Sequence, residues 1–395
     1  MTLAPTTKAM TVLLAFMTAV GPLTMDIYLA SLPHIGAALQ ASTSSVQLTI
    51  SLYVFGFSIG QLFYGPLSDI YGRKPVALIA LMTYVTASIL CVLATSIEAL
   101  ILGRIIQAIG AAGPIIIARA IVRDLHSGAK AARQLGLMSA IMGATPIGAP
   151  ILGGFLQDAF GWRASFIFVC FAGIALWAAV LFLLPETRSR QKNQKFSFYE
   201  VLRNYGAVVR SRVFLSYVVT HSLSYIGIFA FLSGSSHVMQ RVFGFAPSDF
   251  GFLFSLCAVS YISAAYVSAN LVERLGIQRM LKLGTAILAF GGGAQLALYA
   301  LFPTWIAPML IGQMIYFFGS GMMQPQLIAG AMAPFGERAG TASSVMGVSQ
   351  MGSAAVSGSL LGLILGETAW PVIALIACTG LASFCAFRFT AHLRH

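Results

Sequence analysis

Apolar, charge-free runs recur along the whole chain, each close to the ~20 residues that carry a helix across a bilayer. They cover 27–68, 75–97, 134–157, 164–185, 213–240, 250–272, 283–336, 339–366 and 368–387. The polar stretch 40–47 divides the first, and Pro303, Thr304 and Trp305 divide the seventh. Two further runs carry one ionisable group each, Asp26 in 9–32 and Arg104 in 99–122. Together these runs predict twelve spans, at about 9–32, 46–66, 76–96, 99–122, 134–157, 164–185, 213–237, 249–271, 280–302, 305–332, 340–365 and 369–388. The apolar residues come in blocks and not at every second position, so a transmembrane barrel is excluded.

Composition sharpens this picture. Of 395 residues, 58% are hydrophobic and 9% charged, against about 25% charged in an average soluble domain. So little polarity cannot cover a soluble surface, and the reading is an all-α integral membrane protein. Disorder, coiled coil and collagen are excluded on the same ground. The net charge of +12 would suggest nucleic acid in a soluble protein. Here the basic residues fall in short loops, so no nucleic-acid partner is expected. The five cysteines lie in apolar stretches without CxxC spacing. They read as small buried hydrophobes, with no metal and no cofactor implied.

Loop charge orients the chain. With the N-terminus inside, 20 of the 23 basic residues fall on inner loops and tails, and only Arg163 and Arg241 fall outside. That split follows the positive-inside rule and puts both termini on the cytoplasmic side. The first span reads as a retained helix, because its apolar run is too long for a cleaved signal.

The longest hydrophilic stretch divides the chain into a six-span half at 1–185, a basic cytoplasmic linker at 186–212 and a second six-span half at 213–395. Internal repetition supports two pseudo-symmetric halves. GPLSDIYGRK at 65–74 is echoed by ANLVERLGIQ at 269–278, and LGRIIQAIGAAG at 102–113 by IGQMIYFFGSGM at 311–322. Duplicated halves are a transporter architecture, with the binding site expected between them.

Several motifs carry chemistry. In Gly65-Pro66-Leu67-Ser68-Asp69-Ile70-Tyr71-Gly72-Arg73-Lys74, Gly65 and Gly72 permit a tight turn. Asp69 can cap a helix N-terminus, and Arg73 can pair with Asp124 at the inner end of span 4. Span 4 holds Arg104 and Gln107 on one face; the arginine either faces a cavity or snorkels outward. Span 5 carries Pro146, Gly148, Pro150, Gly153 and Gly154, with the prolines bending the helix and the glycines allowing close packing. Asp26 is the one acid inside the expected membrane core. An ionisable group there costs about 2.5–3.5 kcal/mol and marks function by default; the bland alternative is a hydrated interface position. Arg104 is its natural counter-charge.

Weaker candidates are Tyr28, Tyr53, Phe57, Gln61, Met142, His221, Tyr225, Gln313, Tyr316 and Gln350. Each is either a cavity residue or a packing residue. The Gly56-xxx-Gly60 and Gly358-xxx-Gly362-xxx-Gly366 patterns in spans 2 and 11 are close-packing motifs.

The 65–74 loop resembles the signature loop of the major facilitator superfamily in both position and spacing. Span 4 resembles that superfamily's span-4 motif. Span 5 resembles its antiporter motif, with Ala149-Pro150 where Gly-Pro is usual. Met25-Asp26-Ile27-Tyr28-Leu29-Ala30-Ser31-Leu32-Pro33 is similar to the twelve-span drug:proton antiporters of the bicyclomycin/chloramphenicol-resistance (Bcr/CflA) subfamily, although Ala30 stands where proline is usual. The resemblance implies a monomeric, proton-coupled efflux antiporter for phenicol- or bicyclomycin-like compounds, with the 65–74 loop as the gate and with spans 2 and 11 facing each other across the halves. The alternative is uptake of a small metabolite in the same fold. HExxH, GxSG, GxGD and P-loop patterns are absent, so neither an intramembrane enzyme nor ATP-driven transport is expected.

Overall fold

A computed structural model describes residues 7–126, 128–187, 206 and 208–394. Most of the expected linker, at 188–205 and 207, lies outside the described residues, as do the side chains of Lys130, Arg133 and Arg338. The described part is helical, with no strand among the described residues. The helices are α1 (Lys8–Asp26), α2 (Leu32–Ala38), α3 (Thr43–Tyr71), α4 (Arg73–Val92), α5 (Ile97–Leu125), α6 (Gly128–Phe160) and α7 (Arg163–Leu183). After the linker come α8 (Arg212–His237), α9 (Pro247–Leu301), α10 (Ala307–Met332), α11 (Ala339–Ile364) and α12 (Trp370–Phe389). Among the described residues eight helical stretches are long and apolar enough to cross a membrane on that ground alone.

Local sequence explains several of the starts. Thr7, Ser42, Ser96 and Ser211 each accept the backbone N–H three residues on, satisfying a donor that a helix leaves free at its first turn. These polar residues stand where the apolar runs begin, so periodicity and capping agree on the boundaries.

Two compact units divide the chain, Met1–Ser197 and Phe198–His395. The sequence repeat reappears inside them as a repeat of backbone and packing. Gly72, between α3 and α4, has φ 98° and ψ 154°; Gly276, 204 positions later, has φ 76° and ψ 159°. A side chain strains that conformation and glycine does not. Spans 8 and 9, expected as separate helices, are two helices that meet at Gly276, the one non-helical residue within α9; a single glycine turn joins them without a loop.

Packing repeats as well. A Cβ on Gly110 would stand 2.5 Å from the Tyr84 nitrogen and 2.8 Å from the Ala80 oxygen, bringing α5 onto α4. A Cβ on Gly319 would stand 2.5 Å from the Leu288 nitrogen and 2.7 Å from the Gly284 oxygen, bringing α10 onto α9. Residues 84 and 80 lie 204 positions before 288 and 284, so the same helix pair closes on the same surface in each unit.

A Cβ on Gly56 would meet the Ile105 oxygen at 2.8 Å, and one on Gly60 would meet the Ala112 Cβ at 2.8 Å. These glycines therefore pack against α5 of their own unit. Small residues at 108 and 112 let the α5 backbone approach, which is the condition for close helix packing in a membrane.

Candidate functional site

Span 1 was expected as one helix over 9–32. It is broken: α1 ends at Asp26, residues 27 and 28 form a turn, Leu29–Ser31 is a short 3-10 segment, and α2 resumes at Leu32. The break places Asp26 on the last turn of α1. The residue is 2% exposed, which removes the hydrated-interface reading. Its Oδ1 has no hydrogen-bond partner, and Asp26 forms no ion pair among the described residues. A buried carboxyl oxygen without a partner costs about 1–3 kcal/mol or more, so the site has a standing demand for a proton or a donor.

The span-5 motif bears directly on this break. α6 is continuous through Pro146 and Pro150. A Cβ on Gly153 would fall inside the van der Waals shell of the Ile27 carbonyl oxygen, the residue after Asp26. The same oxygen accepts from Ser165 Oγ of α7 at 3.5 Å. Gly154 is buried beside Gly153, whereas Gly148 has open space around it. The motif glycines are thus not equivalent; Gly153 is the contact with the broken span.

Arg104 lies fully buried on α5, which removes the snorkelling reading. Its guanidinium carbon sits 4.1 Å from the Tyr28 ring centroid, 3.9 Å from that of Tyr53 and 5.7 Å from that of Phe166. Nη1 donates to Gln107 Oε1 at 2.7 Å and to the Thr24 carbonyl at 3.4 Å. Gln107 in turn donates to Ser88 Oγ at 2.8 Å. Tyr28 bonds Thr49 at 3.2 Å, Tyr53 donates to the Gly21 carbonyl at 3.1 Å, and Thr24 bonds Tyr84 at 2.6 Å. The expected Asp26–Arg104 ion pair is not formed. Two aromatic faces hold the cation instead, and a desolvated cation–π contact contributes about 2 kcal/mol. Arg104 Nε and Nη2 remain without partners, so acceptor capacity is still wanted there. Arg104 and Asp26 are nonetheless linked through span 1, since Thr24 and Tyr28 flank the acid.

At the α3–α4 turn the expected pair forms. Arg73 Nε donates to Asp124 Oδ2 at 2.8 Å and Nη2 to Asp124 Oδ1 at 3.2 Å. Nη2 also pairs with Asp69 Oδ1 at 2.7 Å, and Nη1 donates to Ser68 Oγ at 2.7 Å. The guanidinium is thereby saturated by α3 and α5. Glu186 caps the first turn of α4, accepting from the Arg73 and Lys74 backbone N–H groups at 2.9 and 3.1 Å. Asp69 pairs with Arg73, one helical turn away. Gly65 borders α5 loosely, with Ile116 at 3.9 Å from its virtual Cβ.

The second unit carries neutral polar groups. His221 on α8 is fully buried, stacked on Tyr225 with ring centroids 6.2 Å apart, and neither ring nitrogen has a partner. Tyr316 donates to the Ser224 carbonyl at 2.9 Å, and Gln324 donates to Ser224 Oγ at 3.1 Å. Gln313 is fully buried with both amide atoms unpartnered. By the 209-residue offset it takes the place of Arg104. Tyr28, Tyr53, Gln107, His221, Gln313 and Tyr316 are thus interior, and Phe57 is buried with its ring against Gly21. Gln61, Met142, Tyr225 and Gln350 are half-buried.

The sequence profile of the Major Facilitator Superfamily matches residues 14–358. The chain belongs to this superfamily. A bicyclomycin resistance protein homolog of Haemophilus influenzae is 28% identical over 93% of this chain and 92% of its own length. The multidrug resistance protein MdtL of Escherichia coli is 31% identical over 91% and 90%. Among solved structures, a POT family transporter in complex with 5-aminolevulinic acid matches with TM-score 0.78 at 12% identity, covering 97% of this chain and 95% of that one. At that identity the likeness shows the fold alone. This major facilitator is therefore a multi-pass membrane transporter and not an enzyme.

Sequence reasoning missed Glu186, Thr24, Tyr84 and Ser88. The last three are ordinary polar positions in apolar runs, without a charge to single them out. Glu186 was taken as the start of a linker, although it stands as the lone acid directly after span 6.

Proposed function

We propose that this major facilitator is a Bcr/CflA-type proton-coupled antiporter. It exports small amphipathic drugs, phenicol- or bicyclomycin-like, across the bacterial inner membrane. It works as a monomer with both termini cytoplasmic, the halves at 1–185 and 213–395 rocking about the 186–212 linker. The observation that carries the reading is Asp26: a buried, unpaired carboxyl on the last turn of a broken span, in a chain whose relatives bear the names of drug-resistance proteins.

In this mechanism protons enter from outside, neutralise Asp26 and favour inward opening. Drug binding expels the proton and favours return, so the two cargoes compete through one half of the molecule. The aromatic box of Tyr28 and Tyr53 holds Arg104 in place without consuming Asp26. A membrane potential adds about 2.3 kcal/mol per charge per 100 mV.

The test uses purified protein in proteoliposomes with a trapped pH indicator. Drug should accumulate against its gradient when the proton gradient opposes it, and an uncoupler should abolish accumulation. Uphill accumulation that survives the uncoupler sinks proton coupling; uptake of a metabolite with no drug movement sinks efflux.

The gate gives a second test. Arg73→Ala or Asp69→Asn should slow transport by about tenfold or more, with drug affinity within about threefold, as expected of a residue that acts on a conformational step. Loss of equilibrium binding in folded protein would show that these residues shape the binding site instead.

A further inference from the structure

The gate's arginine is held at both ends. Its side chain is fixed by Ser68, Asp69 and Asp124, and its backbone by Glu186. One carboxylate takes two consecutive N–H groups of α4, with Arg73 to Oε1 and Lys74 to Oε2. Four other helices, α1, α3, α5 and α8, are capped by a Ser or Thr immediately before them. Gly72 has no side chain to offer, so the cap comes from 113 residues away. The fit is close: a Cβ on Gly72 would stand 2.7 Å from Glu186 Oε2. Thr187, the next residue, donates to Asp124 Oδ2 at 3.4 Å. Two adjacent residues thus touch both the backbone of Arg73 and the carboxylate that holds its guanidinium. They lie three and four residues beyond the end of α7.

The related turn in the second unit separates cap from turn geometry. Gly276 has the same left-handed backbone, yet Ile277 stands where Arg73 would be. There, Gln278 donates its side-chain amide to Tyr217 Oη at 3.1 Å. Among the described residues, the carboxylate clamp is found at the turn that carries the arginine.

We propose that Glu186 is the positioning residue of the gate. By capping α4 it sets where Arg73 presents its guanidinium to Asp69 and Asp124. With Thr187 it ties the segment just after α7 to that ion-pair cluster. The inference deepens the transport reading and rests on it for its kinetic arm.

The test has two arms on full-length protein in nanodiscs and proteoliposomes. In the first, hydrogen–deuterium exchange reads the Arg73 and Lys74 amides with no substrate present. Glu186→Gln should raise their exchange by about tenfold, the scale of a lost helix cap, and Glu186→Asp by less. The peptide around Gly276 should not change. In the second, chloramphenicol-driven proton flux should fall about tenfold in Glu186→Gln, with KM within about threefold. The same change in an Arg73→Ala background should add little, because both act through one group. Unchanged exchange at Arg73 and Lys74, or losses that multiply in the double variant, would overturn the proposal. If Glu186→Gln does not fold, Glu186→Asp decides in both arms: wild-type exchange and flux overturn the proposal, and intermediate values support it. A wild-type protein that moves no drug sinks the efflux reading while the exchange arm still reads the cap.

Discussion

Asp26→Asn is expected to bind drug as well as the wild type but to export none of it uphill. The amide has the shape of the protonated carboxyl and no charge to lose. If drug and proton compete through Asp26, wild-type affinity falls as the medium is acidified and drug binding releases a proton. In Asp26→Asn both effects should vanish, while downhill exchange of drug persists. The prediction is sharp because of the geometry. Asp26 forms no ion pair among the described residues, and Arg104 is occupied by Tyr28 and Tyr53. Removing the acid therefore leaves no buried cation newly exposed, and the protein should keep its fold. Drug affinity across mildly acidic to alkaline pH, with proton release measured in weak buffer, tests this. Undiminished release in Asp26→Asn would move the coupling elsewhere, and His221 is the buried titratable group to examine next.

Gly153→Ala is expected to destabilise the protein strongly, and Gly148→Ala hardly at all. Both glycines belong to the same motif on α6. A methyl group at 153 collides with the backbone carbonyl of Ile27, and backbone cannot step aside as a flexible side chain can. Either α6 withdraws or the break after Asp26 shifts, and overpacking of that kind costs about 1–3 kcal/mol or more. A methyl group at 148 meets nothing within 4 Å. There, replacing glycine inside a helix should be neutral or stabilising by up to about 1 kcal/mol. Thermal unfolding midpoints in one detergent, with proton-driven flux in parallel, compare the two. Equal midpoints for the two variants would mean that the approach of α6 to Ile27 does not hold the break in place.

Asp26 and Gly153 show what neighbouring elements add to a motif. The sequence marks both positions, one by its charge in an apolar run and one by its place among prolines and glycines. It does not say that they meet at consecutive residues of span 1. The same holds for Arg104. Elimination among charges points to Asp26, as the sole acid in the core. The fold selects Tyr28 and Tyr53, because ring faces at about 4 Å satisfy a guanidinium without desolvating a second charge.

The sequence by itself determined the helices, the class and the repeat. A bilayer demands that each crossing satisfy its own backbone hydrogen bonds, so a run of ~20 apolar residues has one available form. The 204-residue echo likewise foretold matching turns at Gly72 and Gly276. These features depend on residues close in the chain or on the solvent. Tertiary structure alone decided which partner each special residue meets: Glu186 on the first turn of α4, α5 on Gly56 and Gly60, and two tyrosines rather than Asp26 around Arg104. The reason is physical. A charge or a missing Cβ announces that a contact is needed, but several groups of suitable chemistry compete for it, and only the distances set by helix packing choose among them.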